Sequence, residues 1–112
     1  MHKKRNLKRV FIANRGEICA RIAKTAKKLG LECVSFMDPK KKQEFLQQQL
    51  DDICFVEELK TAHYLDPEFV IQTALSQNCD CIHPGFGFLS ENHSFAKAVT
   101  DSGLVWIGPS PE

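Results

Sequence analysis

The sequence has 112 residues, of which 43% are hydrophobic and 26% are charged. These proportions are typical of a globular domain, and the length suits one domain rather than two. No apolar run approaches the ~20 residues of a membrane-spanning helix, and the basic start lacks the apolar stretch of a signal peptide. The composition therefore excludes a membrane protein and favours the cytoplasm.

Positive charge is concentrated in the first part of the chain. Residues 1–42 hold 13 of the 15 lysines and arginines but only three acids, whereas residues 43–112 hold eleven acids. A basic half is one mark of a nucleic-acid-binding protein. However, Lys24, Lys27 and Lys28 are spaced as the exposed side of a helix. We therefore expect a solvated face and keep nucleic-acid binding as the weaker alternative.

The cysteines are odd in number and lie within apolar patterns. The five positions are 19, 33, 54, 79 and 81. This placement predicts reduced, buried thiols that pack as small hydrophobic side chains. Cys79 and Cys81 would face the same side of a strand, but no second pair accompanies them. The sequence therefore predicts no metal site.

The first predicted elements form a strand–helix–strand unit. Residues 9–13 are a nearly continuous apolar run, as in a strand that is buried on both faces of a parallel sheet. A helical period then extends to Gly30, and residues 32–37 form the second strand. The predicted buried stripe of this helix consists of Ile18, Ile22, Ala26 and Leu29, with Cys19 and Ala23 beside them.

The remaining elements continue the alternation of strands and helices. In chain order they are a short helix within 40–50, a strand at 52–56, a loop at 57–65, a helix that begins at Asp66 and Pro67 and extends to 78, a strand at 79–82, a helix at 92–102 and a strand at 104–107. This order predicts a doubly wound, mostly parallel sheet of five strands with helices on both faces.

The turn after the first strand, Asn14-Arg15-Gly16-Glu17, occupies the position at which dinucleotide-binding folds hold a pyrophosphate. Free amides at a helix N-terminus attract anions, and Arg15 would add positive charge. However, the glycine pattern G-x-G-x-x-G is absent, and Glu17 would repel a phosphate. We therefore expect a tight structural turn and keep an anion site as the alternative.

A loop of unusual composition follows the fourth strand, with the sequence HPGFGFLSEN over residues 83–92. Two glycines would let its backbone approach a ligand closely, and a ring and a carboxylate could contact that ligand. The alternative is structural, with the rings in the core and the next helix capped by Glu91 or Asn92. Residue chemistry leaves both interpretations open. The side chains and glycines concerned are Gly85, Phe86, Gly87, Phe88 and Glu91.

Three stretches of the sequence resemble the N-terminal motifs of biotin carboxylases. They match in order and spacing, so the resemblance covers nearly the whole chain. It implies a Rossmann-like domain that precedes an ATP-grasp domain, with a basic tail at 1–8, the domain itself at 9–108 and the start of a linker at 109–112. The three stretches are VFIANRGEI at 10–18, HPGFGFLSEN at 83–92 and IGPSPE at 107–112.

Biotin carboxylases join bicarbonate to biotin on a carrier protein with the energy of ATP. The resemblance implies that the full enzyme uses ATP, Mg²⁺, bicarbonate and biotin, and that its ATP-grasp part holds the ATP and the Mg²⁺. The present chain alone is therefore expected to bind none of these cofactors and to be inactive. The implied partners are the ATP-grasp part, the biotin carboxyl carrier protein and a second copy in a homodimer. A docking or regulatory module of a carboxylase complex is the alternative.

By the same resemblance, the loop after the fourth strand forms a wall of the active site against the biotin ring. The family's usual tyrosine is Phe86 here, so a hydrogen bond worth about 1 kcal/mol would be missing. Residues 40–64 diverge from the family pattern, and Lys24 and Lys28 stand where bacterial members can place an oppositely charged pair used in dimerisation. The implied substrate-facing residues are His83, Pro84, Gly85, Phe86, Gly87, Glu91 and Asn92.

Overall fold

The computed structural model of the chain describes residues 7–85 and 92–107. Strands and helices alternate through both ranges. The strands are β1 (Arg9–Ile12), β2 (Glu32–Met37), β3 (Asp52–Phe55), β4 (Cys81–His83) and β5 (Val105–Trp106), and the helices are α1 (Gly16–Lys28), α2 (Glu44–Gln47), α3 (Thr61–Tyr64), α4 (Pro67–Ser76) and α5 (His93–Asp101).

The strands form one parallel sheet in the order β3-β2-β1-β4-β5. From β1 the chain moves outward through β2 and β3, and then crosses back to build β4 and β5 on the other side. The direction of winding reverses between β1 and β4, where Ile12 pairs with His83. The predicted doubly wound sheet of five parallel strands is confirmed, and this reversal is the position at which such sheets bind ligands.

Helices cover both faces of this sheet, as predicted. Side chains of α1 and α2 pack with Val10 and Ile12 of β1 on one face. Side chains of α3, α4 and α5 pack with Phe11 on the other face. Successive residues of a strand point to opposite faces, so β1 supplies both cores in turn.

Helix α1 buries only part of the predicted stripe, together with two residues that were predicted to flank it. Its buried residues are Cys19, Ala23 and Ala26, whereas Ile18 is 38% exposed and Leu29 is 75% exposed. Small side chains let the helix axis lie close to the sheet, and this close approach rotates the bulky residues away from the contact. The lysines at 24, 27 and 28 are exposed, so the predicted solvated face of this helix is confirmed.

Helix α3 lies within residues 57–65, which were predicted to be a loop. It is one turn long, and it places Tyr64 in the core with its ring 5.4 Å from that of Phe36 in an edge-to-face arrangement. Four residues are too few to show a helical period in the sequence. Residues 40–50 likewise contain only the single turn of α2.

Cys79 and Cys81 face opposite cores, so the prediction that they share one side of a strand is wrong. Cys79 packs with the core under α4 and α5, and Cys81 packs with the core under α1. The reason is that β4 begins only at Cys81. Cys79 belongs to the turn after α4, where its amide donates to the carbonyl of Ala74 and Asn78 has a φ of 62°.

The side chain of Arg9 joins the amino ends of three strands to helix α4. Its Nη1 lies 2.9 Å from Glu32 Oε1, its Nη2 lies 2.6 Å from Asp52 Oδ2, and its Nε donates to the carbonyl of Gln77 at 2.7 Å. The Arg9 side chain is mostly buried, with 15% of its surface exposed. A planar fork of donors suits three acceptors in different directions, which a single ammonium group does not.

We expect Arg9→Lys to lower the free energy of unfolding by about 1–3 kcal/mol, because hydrogen bonds to charged partners are lost. The measurement is the urea midpoint by circular dichroism. Arg21→Lys is the matched control: Arg21 is exposed and lies 3.8 Å from Glu17, and such surface pairs contribute about 0–1 kcal/mol. Equal losses in the two variants would contradict a stabilising role for Arg9.

Candidate functional site

The two sequence stretches predicted to form sites meet at the reversal between β1 and β4. The turn that contains Asn14 follows β1, and the loop that begins at His83 follows β4. The pairing of the two strands extends into these segments, because the amide of Ala13 donates to the carbonyl of His83 at 2.9 Å. The structure therefore brings together two motifs that the sequence separates by about 70 residues.

Asn14 and Gly85 form the central contact of this site. Asn14 is 2% exposed, and its Nδ2 lies 3.5 Å from the carbonyl oxygen of Pro84. Gly85 is buried, with a φ of 71°, and a Cβ added to it would lie 2.4 Å from Asn14 Nδ2. Only glycine fits this approach, since any side chain would overlap the buried asparagine.

A hydroxyl group of β2 contacts the backbone of the same turn. Ser35 is fully buried, and its Oγ lies 2.6 Å from the carbonyl oxygen of Ile12 and 3.3 Å from that of Asn14. The single hydroxyl hydrogen of Ser35 can be donated to one of these carbonyls at a time, which supplies a partner at the end of the strand. Ser35 was not among the predicted site residues. A serine within the apolar run of β2 was the signal that could have identified it.

His83 holds the first residues of the loop. Its Nδ1 accepts the amide hydrogen of Gly85 at 3.0 Å. The imidazole is half-buried, and this burial lowers its pKa from the ordinary value of 6.5. His83 therefore holds the backbone of the loop at the amide of Gly85.

Asn92 anchors the far end of the loop to helix α5. Its Oδ1 accepts the amide hydrogen of Phe95 at 2.9 Å, as an N-cap does. Asn92 therefore caps the next helix, as the structural interpretation of the loop predicted. Four other residues that were named for this loop, Phe86, Gly87, Phe88 and Glu91, lie outside the described residues.

The turn at Arg15 opens onto a cavity on the β2 side of β1. This cavity measures about 380 Å³, and its lining includes Arg15, Gly16, Asp38 and Lys41. The charged side chains that line this cavity include both cations and an anion. Glu17 points a carboxylate to solvent and pairs with Arg21 at 3.8 Å. An anion site at this turn remains a prediction.

The cysteines are free and chemically quiet. Burial raises the pKa of Cys19 and Cys33 to about 11, and that of Cys79 and Cys81 to about 12. At neutral pH these thiols are protonated, and a thiol is a poor nucleophile and metal ligand. The predicted burial is confirmed for four of the five cysteines, whereas Cys54 on the edge strand β3 is only partly buried.

The described part of the chain contains neither a cluster of metal-ligating side chains nor a membrane-spanning helix. Within residues 7–85 and 92–107, no three His, Cys, Asp or Glu side chains lie close enough together to hold a metal ion. In the same ranges, no helix is both long and apolar enough to cross a membrane. These residues therefore offer no cluster that could by itself hold the Mg²⁺ of the implied enzyme.

Known proteins are similar to this chain in both sequence and fold. A putative urea carboxylase of Emericella nidulans is 39% identical over 95% of the chain, and a chloroplastic biotin carboxylase of Arabidopsis thaliana is 36% identical over 93%. The chain spans only 8% and 20% of the length of these two relatives.

A solved structure shows the same fold. It is the biotin carboxylase domain dimer of the Hydrogenobacter thermophilus 2-oxoglutarate carboxylase, in complex with MgADP, ADP and bicarbonate. Its TM-score is 0.84 at 32% identity, over 95% of this chain and 23% of that one. The family model described as "Biotin carboxylase, N-terminal domain" matches residues 6–112. The chain therefore belongs to the biotin carboxylase N-terminal domain family.

Proposed function

We propose that this domain works in an enzyme that joins bicarbonate to biotin on a carrier protein at the expense of ATP. The observation that carries the proposal is the Asn14–Gly85 contact. It fixes the start of the HPGFGFLSEN loop at the reversal of the sheet, which is where a doubly wound fold presents a loop to a ligand. The names of the related proteins support the same reaction.

The domain's own part in this reaction is to present the loop. His83, Pro84 and Gly85 set its near end, and Asn92 fixes its far end on α5. We assign Phe86 and Glu91, with Gly87 between them, to the wall that faces biotin. A ring without a hydroxyl at position 86 would contact the biotin ring by packing alone, and Glu91 would accept hydrogen bonds.

ATP and Mg²⁺ belong to another part of the enzyme in this proposal. ATP supplies the energy for joining bicarbonate to biotin, and phosphoryl transfer requires cations placed around the γ-phosphate. The described residues offer no cluster for a metal ion, which supports an ATP-grasp part as its holder. The carrier protein and a second copy of the enzyme are the further proposed partners, and five free thiols support a cytoplasmic setting.

We expect the 112 residues alone to hydrolyse no ATP in the presence of bicarbonate and biotin. Mixed with the ATP-grasp part of a related carboxylase that lacks its own N-terminal domain, the chain should restore hydrolysis that depends on both substrates. The measurement is phosphate release, together with carboxybiotin formed from labelled bicarbonate. Each component alone, and each mixture lacking one substrate, serves as a control.

Two outcomes would count against this function. Turnover by the 112 residues alone would show that the loop is not half of a shared site. Binding to the ATP-grasp part without any restored activity would favour a docking or regulatory module instead.

A further inference from the structure

The hydrogen bond between Gly85 and His83 defines the protonation state of the imidazole. A backbone N–H can only donate, so Nδ1 of His83 must offer a lone pair to it at 3.0 Å. The ring is therefore neutral, with its hydrogen on Nε2. A charged imidazole carries a hydrogen on both nitrogens, and Nδ1 could not then accept.

The surroundings of His83 favour this neutral form. The ring lines a mainly apolar groove of about 400 Å³ beside α1, together with Ile22, Leu31 and Ile107. Burial lowers the pKa of His83 below 6.5. Arg21 is the charged side chain among the described residues that line the groove, and it is mostly exposed to solvent. The neighbouring thiol of Cys81 is uncharged at neutral pH, since its pKa is about 12.

Gly85 is held from two directions at the point where the loop begins. The imidazole of His83 binds its amide hydrogen, and the side chain of Asn14 lies against its Cα, which leaves no room for a Cβ. With the amide and the Cα both held, the position of Gly85 at the start of the loop is fixed.

We propose that neutral His83 is a positioning residue for carboxylation, which sets the entry of the loop by accepting the Gly85 amide hydrogen at Nδ1 and releases it on protonation. This inference rests on the function proposed above. His83 itself need not touch biotin. Its effect on the reaction passes through Gly85 to the residues that follow.

The expected pH dependence has a definite sign. The pKa of His83 is lower in the folded chain than the ordinary 6.5, so the unfolded chain binds the extra proton first as the pH falls. The contribution to stability is complete above 6.5 and is lost as the pH falls from 6.5 through the lowered pKa of the folded state. The hold on Gly85 is lost only around that lower pKa, below which activity should decline.

The first test uses the 112-residue chain and requires no enzyme activity. Nitrogen-15 spectra of the histidine rings should show the tautomer with hydrogen on Nε2 for His83 at neutral pH. The Gly85 amide signal should shift with the same midpoint as His83 during acid titration. A His83 ring that titrates at or above 6.5 would overturn the proposal. A Gly85 amide signal that does not change during the titration of His83 would also overturn it. Both outcomes are independent of enzyme activity.

The second test compares two substitutions in the chain mixed with the ATP-grasp part. Asn places an amide oxygen near the position of Nδ1, whereas Gln places its amide near the position of Nε2. We expect His83→Gln to lower kcat by about tenfold, which corresponds to one lost hydrogen bond, and His83→Asn to recover most of that loss. The variant His83→Asn should also lack the decline of activity at acid pH, because its amide does not titrate.

The two tests separate failure of this inference from failure of the proposed function. Equal kcat values for the Asn and Gln variants in an active mixture would overturn the positioning role alone. An inactive wild-type mixture, with the predicted spectra in the first test, would contradict carboxylation while confirming the hold on Gly85. Thermal melting of both variants at neutral pH serves as the control for folding.

Discussion

Replacing Gly85 with alanine is expected to lower the free energy of unfolding by about 2–5 kcal/mol. Two effects add to reach this value. A φ of 71° costs a non-glycine residue about 1–2 kcal/mol, and overpacking a filled site costs about 1–3 kcal/mol more. The new Cβ would lie 2.4 Å from Nδ2, 2.7 Å from Cβ and 2.8 Å from Cγ of Asn14, so no single rotation of that side chain relieves the overlap.

A matched control separates the two effects. Gly30 also has a positive φ, of 85°, but a Cβ added there would meet nothing within 4 Å. We expect Gly30→Ala to lose only the backbone contribution of about 1–2 kcal/mol. The measurement is urea unfolding of each variant, followed by circular dichroism. Equal losses at the two glycines would mean that Asn14 does not approach Gly85 closely.

A double substitution tests whether Asn14 causes the overlap. The pair Asn14→Gly and Gly85→Ala should be more stable than the sum of the single losses, by about 1–3 kcal/mol, because removing the asparagine side chain makes room for the methyl group. In the mixture with an ATP-grasp part, Gly85→Ala should abolish carboxylation even under conditions where the variant remains folded. Full activity in a folded Gly85→Ala variant would contradict a fixed loop entry.

Much of the fold could be predicted because its strands are buried on both faces. Runs such as residues 9–13 and 32–37 are therefore nearly continuous in apolar residues, and this pattern is visible in a single sequence. Their alternation with helices then leaves few topologies, since parallel crossovers are right-handed. The sequence predicted a doubly wound, mostly parallel sheet of five strands, whereas the strand order β3-β2-β1-β4-β5 is known from the structure.

What could not be predicted depends on distances between elements. The buried stripe of α1 was misassigned because the sequence shows hydrophobicity but not how closely a helix approaches the sheet. Cys19 and Ala23 appeared to flank the contact, whereas they form it. A one-turn helix such as α3 leaves no period to detect. Its buried residue, Tyr64, is recognised only from its contact with Phe36.

The candidate site was predicted as two separate motifs, and the structure joins them. The sequence indicated glycines and an asparagine as typical turn residues, each with a local explanation. That Gly85 has to be glycine because Asn14 lies against it is a contact across about 70 residues. The roles of Ser35 and of the His83 tautomer likewise depend on hydrogen bonds that no local pattern reveals.

Phe36→Ala is expected to lower the free energy of unfolding by about 3–5 kcal/mol, as for other buried phenylalanines. Phe36 is 1% exposed and lies at the centre of an aromatic cluster. Its ring centroid is 4.9 Å from that of Phe11, 5.3 Å from that of Phe69 and 5.4 Å from that of Tyr64. Total stabilities of domains are about 5–15 kcal/mol, so this variant should be close to unfolding.

Phe55→Ala provides the same chemical change at an exposed position. Phe55 lies on the edge strand β3 with 48% of its surface exposed, so its loss should be about 1 kcal/mol or less. Tyr64 adds a local measurement, because it is the only tyrosine in the sequence and burial raises its pKa above the ordinary value of 10. Opening the cluster in Phe36→Ala should expose Tyr64 and lower that pKa toward 10, while Phe55→Ala should leave it in place. An unchanged tyrosine titration in a folded Phe36→Ala variant would show that α3 does not depend on this ring for its position.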